Sequence, residues 1–285
     1  MATSFATMDR MRGSLVKVIV LGTLLSIFLS GCLMEEKFIF YPVARIEQTP
    51  RDVGLNFDDV FFTTSDGVKL NGWFVPYPGA KVTLHWSHGN AGNIGHRVEN
   101  IKLLHEKVKI NVFIFDYRGY GRSEGRISEE GTYLDSQAAL TYLHSRNAVD
   151  PKQIVFFGRS LGAAVAAELA IREECSALIL ETPFASIREM ARVAFPLLPI
   201  GGLLRIRYDI VDKVKKIKVP ILVLHGDRDD IVPYEQGKKV FEAAPEPKEF
   251  YRIRGARHND TYVVGGDPYF AALKNFIERT AGAQR

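Results

Sequence analysis

The chain opens on one long apolar run and then settles into short ones. Val18 to Ser30 forms an apolar stretch of 13 residues, and extending it to Met34 gives 17 before Glu35, Glu36 and Lys37 stop it. A membrane-spanning helix needs about 20 such residues. Residues 60–76, "VFFTTSDGVKLNGWFVP", then place two β-rich runs around Ser65-Asp66-Gly67, the pattern of a hairpin. Four short apolar runs follow, "KVTLHW", "NVFIFDY", "QIVFFG" and "ALILET", and after them "PILVLHG" from Pro220 and "EFYRIR" from Glu249. Runs that are apolar on both faces suit central parallel strands covered by helices. Helical periodicity fills the gaps at 94–107, 128–147, 160–173, 234–244 and 266–280. An antiparallel start followed by repeated strand–helix units predicts one α/β domain, with a mostly parallel central sheet and helices on both faces.

One connection is longer than the rest. Residues 182–218 contain "ARVAFPLLPIGGLLRIRYDI", with two prolines and two glycines. Long connections in compact domains are commonly lids or binding segments; two short helices packed on the sheet satisfy the same pattern. Read as a lid-like insertion, it offers Val193, Phe195, Leu197, Leu198, Ile200, Leu203 and Leu204 as an apolar lining for an acyl chain.

Composition changes this picture little. The 285 residues are 46% apolar and 25% charged, ordinary for a globular protein, with a formal net charge of +4. The first 31 residues hold Arg10, Arg12 and Lys17 against Asp9, so removing them leaves +2. That charge is too small and too evenly spread for a nucleic-acid partner. The lysines of "DKVKKIKVP" read as a solvated helix face ahead of a buried strand. No histidine spacing suggests a metal site, and no cofactor is implied.

The amino terminus has a positive start, a short apolar stretch and then small residues, the order of a signal peptide over residues 1–31. Leu29-Ser30-Gly31-Cys32 resembles the bacterial lipobox. The resemblance implies cleavage before Cys32, lipidation of Cys32 and a domain spanning 32–285 that faces away from the cytoplasm on a membrane. Leu33, rather than an aspartate, follows the cysteine; by similarity to Gram-negative sorting signals this implies the outer membrane, where the host has one. A plain anchor helix with an incidental Cys32 is the alternative. A disulfide to Cys175 is poorly supported by two cysteines, and Cys175 reads as a small buried hydrophobe.

The chemistry is concentrated in Gly158-Arg159-Ser160-Leu161-Gly162. This G-x-S-x-G lies between the strand run "QIVFF" and the small-residue helix "GAAVAAELA". A sharp strand-to-helix turn exposes such a serine, strains its backbone and demands small residues two positions away on either side. A serine hydroxyl needs a base, and in this arrangement the order is serine, acid, histidine. Two histidines lie downstream. His225 ends a strand and reads as structural, which leaves His258 in "GARHND" as the base. Asp227, Asp229 and Asp230 all follow the strand "PILVLHG" and are open as the acid. The N–H of Leu161, after the serine, is one candidate donor to an oxyanion.

Together "SHGNAGN", "DYRGYGRSEG", "GRSLG", "HGDRDDIVP" and "GARHND" resemble the α/β-hydrolases, over about Phe38 to Phe276. Within them they resemble a membrane-anchored branch of depalmitoylase-like and serine aminopeptidase-like enzymes, whose members commonly carry a stretch like "FIFYP" after an anchor. The resemblance implies an α/β-hydrolase fold and a serine hydrolase cleaving esters or thioesters through an acyl-enzyme. It places the acid at Asp229, with Asp227 as a turn former and Asp230 solvated or capping a helix. It places the second oxyanion donor at the Asn90 N–H in His88-Gly89-Asn90, with His88 as a support. Arg118, Arg122 and Arg159 are read as loop ties, the other reading being contact with an anionic substrate. Amide hydrolysis and a non-catalytic scaffold are the alternative functions.

Overall fold

The apolar runs become eight strands: β1 (Asp58–Thr63), β2 (Lys69–Val75), β3 (Thr83–Ser87), β4 (Asn111–Phe115), β5 (Ile154–Arg159), β6 (Ala177–Glu181), β7 (Ile221–Gly226) and β8 (Lys248–Ile253). They form one sheet in the order β8-β7-β6-β5-β3-β4-β2-β1. Pairings β1–β2 and β2–β4 are antiparallel and the others parallel. β3 to β7, the unbroken apolar runs, are buried along their whole length, whereas the edges β1 and β8 are mostly exposed or half-buried. That contrast follows from covering both faces of a parallel sheet with helices.

The computed structural model describes residues 35–37, 39–197 and 204–281. Phe40–Arg285 forms one compact unit; of the separate unit Met1–Ile39, residues 35–37 and 39 are described and are helical. The expected signal segment 1–31, Cys32, Leu198, Ile200 and Leu203 lie outside the described residues. Among the described residues no helix is long and apolar enough to cross a membrane.

The helices are α1 (Val98–Leu103), α2 (Glu129–His144), α3 (Leu161–Arg172), α4 (Ile187–Ala194), α5 (Ile210–Val214), α6 (Tyr234–Ala243) and α7 (Thr261–Thr280). α1 and α7 cover one face, where Trp86, Ile114, Phe157, Ile179 and Leu224 meet Ile101, Phe270, Leu273 and Phe276. Each such side chain contributes about 1.5–3 kcal/mol when fully buried. On the other face α2 packs on α3, α3 on α5, and α5 on α6. The periodicity at 94–107 is built in three pieces, a 3₁₀ turn (Ile94–Arg97), α1 and a π turn (Leu104–Val108). α7 starts at Thr261, earlier than expected at 266. Its backbone breaks at Gly266 (φ 53°) just before Pro268, which interrupts the periodic signal.

Among its described residues, the long connection after β6 contains two short helices. α5 buries Ile210 and Val214. In α4 the inward positions are Ile187, Met190 and Ala191, at helical spacing, and Ser186 caps its start by accepting from Glu189 N. Val193 stands off that stripe, and Phe195 and Leu197 follow the helix end. They are 47%, 50% and 94% exposed, so they form open apolar surface rather than buried core.

Candidate active site

Ser160 sits where β5 hands over to α3. Its φ of 53° is the left-handed backbone a side chain tolerates poorly, and α3 begins at the next residue. Local packing explains the flanking glycines. A methyl group on Gly158 would lie 2.2 Å from Gly162 O, and one on Gly162 would lie 1.9 Å from Ser87 O. The elbow therefore closes only without side chains at both positions. Ser160 N–H donates to Glu181 O at 2.9 Å, which fixes the turn to β6.

The three residues expected from widely spaced motifs meet here. Ser160 Oγ is 3.0 Å from His258 Nε2, and His258 Nδ1 is 2.8 Å from Asp229 Oδ2. With Nδ1–H donating to the carboxylate, Nε2 is left to accept from the serine. His258 is 5% exposed, and the Asp229 side chain is fully buried. Burial pushes the Asp229 carboxyl up, but hydrogen bonds from His225, His258 and the Ile231 N–H outweigh it and hold it well below the ordinary carboxylate range. Its Oδ1 accepts from Ile231 N at 2.9 Å and Val232 N at 2.7 Å.

Asp227 and Asp230 have other partners. Asp227 forms an ion pair with Arg252 at 2.7 Å and accepts from Gly255 N at 2.7 Å. Asp230 is exposed, as expected of a solvated residue, and its Oδ1 also accepts from His258 N at 3.3 Å, so it braces the histidine loop. His225 is structural in a specific way. Its Nε2 lies 3.0 Å from Val232 O and 3.3 Å from Asp229 Oδ2, which puts a second imidazole on the same carboxylate.

The His88–Asn90 turn lies against the serine: a methyl group on Gly89 would sit 3.7 Å from Ser160 Cβ. Leu161, as the first residue of α3, has an N–H with no acceptor inside the helix. His88 is fully buried and its Nδ1 is 2.7 Å from Gly89 O. Burial, with Arg97 nearby, pulls its imidazole down to about 3, so it is neutral and donates through Nδ1. Its Nε2 faces Asp116 Oδ1 at 3.6 Å, and burial pushes that carboxyl up to about 8.

The turn is also held from the amino-terminal side, which sequence reasoning missed. Tyr41–Pro42 pairs in parallel with Ala91–Gly92, Val43 N donates to Gly92 O at 3.0 Å, and Tyr41 N donates to Asn90 Oδ1 at 3.4 Å. Tyr120 OH donates to the same Asn90 oxygen at 3.0 Å. The stretch "FIFYP" was the available signal, but two residues of pairing leave no periodicity. Arg118 bonds Asp66 and Asp135, and Arg122 bonds Asp59 and Asn71, so both tie loops together. Cys175 is half-buried rather than buried, and burial of its thiol pushes it up to about 12.

Comparison with known proteins agrees with this architecture. A family model described as alpha/beta hydrolase fold matches residues 87–203, and one described as serine aminopeptidase, S33, matches residues 197–261. The alpha/beta hydrolase domain-containing protein WAV2 of Arabidopsis thaliana is 37% identical over 276 residues, covering 88% of this chain and 90% of its own. An uncharacterized protein of Mycobacterium tuberculosis is 36% identical over 249 residues, covering 87% and 88%. Among solved structures, the Pyrococcus furiosus esterase Pf2001 superposes with a TM-score of 0.72 at 23% identity, over 85% of this chain and all of that one. The doubly covered parallel sheet and its serine elbow define a hydrolase scaffold. The chain belongs to the α/β-hydrolase family.

Proposed function

We propose that the protein is a serine hydrolase that cleaves carboxylic esters or thioesters through an acyl-enzyme on Ser160. The observation that carries this reading is the hydrogen-bonded chain from Ser160 through His258 to Asp229, at 3.0 and 2.8 Å. Ser160 Oγ attacks the carbonyl carbon while His258 Nε2 takes its proton. Asp229 orients the imidazole and stabilises its charged form. The main-chain N–H groups of Asn90 and Leu161 receive the developing oxyanion. His258 returns the proton to the leaving alcohol or thiol, and the C–O or C–S bond breaks. A water then gives a proton to His258 as it attacks the acyl-enzyme; the acyl–Oγ bond breaks, His258 returns that proton to Ser160 Oγ, and the acid leaves. No step calls on a metal or an organic cofactor.

The esterase among the structural neighbours supports an ester substrate. The S33 match over residues 197–261 favours a second reading, amide cleavage. The substrate class is decided by rates on esters of increasing acyl length beside thioesters and aminoacyl amides, with fluorophosphonate labelling mapped to Ser160. Amide cleavage without ester turnover would replace the first reading with the second, and an unlabelled serine would remove both.

The same proposal extends to location. Cys32 is the mature first residue, lipidated and membrane-held on the extracytoplasmic side, in the outer membrane where one exists, and the substrate is a small or acylated molecule. The lipobox-like sequence is what supports it. Mass spectrometry of the amino-terminal peptide tests it: acyl mass on Cys32 is expected, and a chain starting near Met1 with a free Cys32 thiol would sink it.

A further inference from the structure

A buried ion pair lies behind the reacting residues and takes no part in the steps above. Arg159 and Glu181 are register partners on β5 and β6. Arg159 Nε is 3.7 Å from Glu181 Oε1, with the two side chains 6% and 0% exposed. Arg159 Nη2 donates to the main-chain oxygen of His258 at 2.6 Å. Glu181 accepts from Thr261 Oγ1, three residues beyond the histidine, and from Tyr269 OH at 3.2 Å. Its own main-chain oxygen receives the Ser160 N–H at 2.9 Å.

These contacts converge. Arg159 precedes the serine in the chain and grips the carbonyl of the histidine through one hydrogen bond. Glu181 faces the guanidinium as its buried counter-charge at 3.7 Å, takes the serine's N–H on its main-chain oxygen and takes the Thr261 hydroxyl at the start of α7. Nucleophile and base are therefore tied to a single buried pair by links that bypass the Ser160–His258 contact itself. We infer that Arg159, anchored by Glu181, is a positioning residue that sets the Ser160–His258 distance by fixing the main chain of His258. The inference rests on the serine-hydrolase reading.

The physical warrant is twofold. A 1 Å misplacement of a reacting group costs about 100-fold in rate. An arginine offers several N–H donors on a rigid plane, so it can face a carboxylate and bond a carbonyl at once, as a lysine cannot. Burial adds a constraint on the test. Removing one partner leaves an uncompensated buried charge and unfolds many proteins, while replacing both by neutral groups is commonly tolerated.

The experiment uses the full-length chain and compares wild type, Arg159→Lys, Arg159→Ala and the double variant Arg159→Met/Glu181→Gln. Expected for the double variant are a Tm near wild type, a KM within a few-fold and a kcat lower by about 100-fold. Arg159→Lys falls in between. Millimolar guanidinium restores at least about tenfold of the rate lost in Arg159→Ala, because it returns the missing donor, and it does not affect wild type. A double variant with wild-type kcat and wild-type fluorophosphonate labelling overturns the inference alone. So does a loss of kcat that tracks a fall in Tm and ignores guanidinium, which makes Arg159 merely structural. A wild type that neither labels at Ser160 nor turns over any ester, thioester or amide overturns the hydrolase reading and this inference with it.

Discussion

The connections after β7 and β8 and the connection after β6 leave the same end of the parallel strands, yet they are held differently. Loops 227–233 and 254–260 are stitched to each other. Asp227 takes the Gly255 N–H, Arg228 N donates to Ala256 O at 3.0 Å, and Asp230 takes the His258 N–H. In the β6 connection the start of α4 is fastened outward, with Ala185 N donating to Gln236 Oε1 at 2.9 Å, Ile187 N to Arg207 O at 2.8 Å and Lys239 paired with Glu189 at 3.0 Å, while its last turn exposes Val193. The far half is fastened as well: Glu129 of α2 accepts from Arg207 N at 2.7 Å and Tyr208 N at 2.8 Å. The difference is a division of labour. Reacting groups tolerate little displacement and need loops that constrain one another. The β6 connection is tied to α2 and α6 and leaves Val193, Phe195 and Leu197 as exposed apolar surface.

The strongest way to break that comparison is Ser160→Ala. If the stitched side carries the chemistry, turnover falls by several orders of magnitude and fluorophosphonate labelling disappears, while Tm stays near wild type. Retained activity would move the chemistry elsewhere.

Next in size is the pair of aspartates on one loop. Asp229→Asn should lower kcat by about 10⁴, because the asparagine presents an N–H to the imidazole and selects the wrong tautomer. Asp227→Asn should stay within a few-fold, since Asp227 is bonded to Arg252 and Gly255 rather than to His258. Steady-state rates in the reverse order would reassign the acid.

The pH dependence of stability sharpens the same contrast. The folded state holds Asp229 below its unfolded value of about 3.9, so its stabilisation is complete above that pH and fades as pH falls through the folded value. The Tm deficit of Asp229→Asn should therefore be full between pH 5 and 8 and shrink below about pH 4. A deficit independent of pH would mean the carboxylate's charge contributes nothing.

The smallest effect lies on the other side. Leu197 is 94% exposed, so Leu197→Asp should change stability by no more than about 0.5 kcal/mol. If its surface meets acyl substrates, kcat/KM should fall a few-fold for the longest chains and stay unchanged for acetyl esters. A uniform fall across chain lengths would detach this segment from acyl selection.

Much of the fold was legible because burial on both faces writes itself into consecutive residues. The runs "QIVFF", "ALILE" and "ILVLHG" could become only central strands, and the elbow's glycines are a steric demand within five residues. The bracing of the site was not legible in the same way. Asp230 and Asp229 are adjacent and alike in sequence, yet Asp229 is buried on the His258 ring with His225 and two main-chain N–H groups, while Asp230 is exposed and reaches the His258 main-chain N–H. The Tyr41–Pro42 pairing is too short to leave a pattern. Val193, Phe195 and Leu197 read as an apolar lining in a linear reading, since hydrophobicity does not reveal whether residues at and beyond a helix end are covered.

Sequence alone determined the class of fold, the strand and helix types and the identity of the strained serine, because each rests on interactions within one element or one turn. The tertiary structure decided which aspartate meets the imidazole, what Arg159 holds and which apolar residues stay exposed. Those outcomes depend on contacts between residues 29 apart for Asp229 and His258 and 99 apart for Arg159 and His258. No local pattern encodes such contacts; they exist only once the sheet has brought the ends of β5, β7 and β8 together.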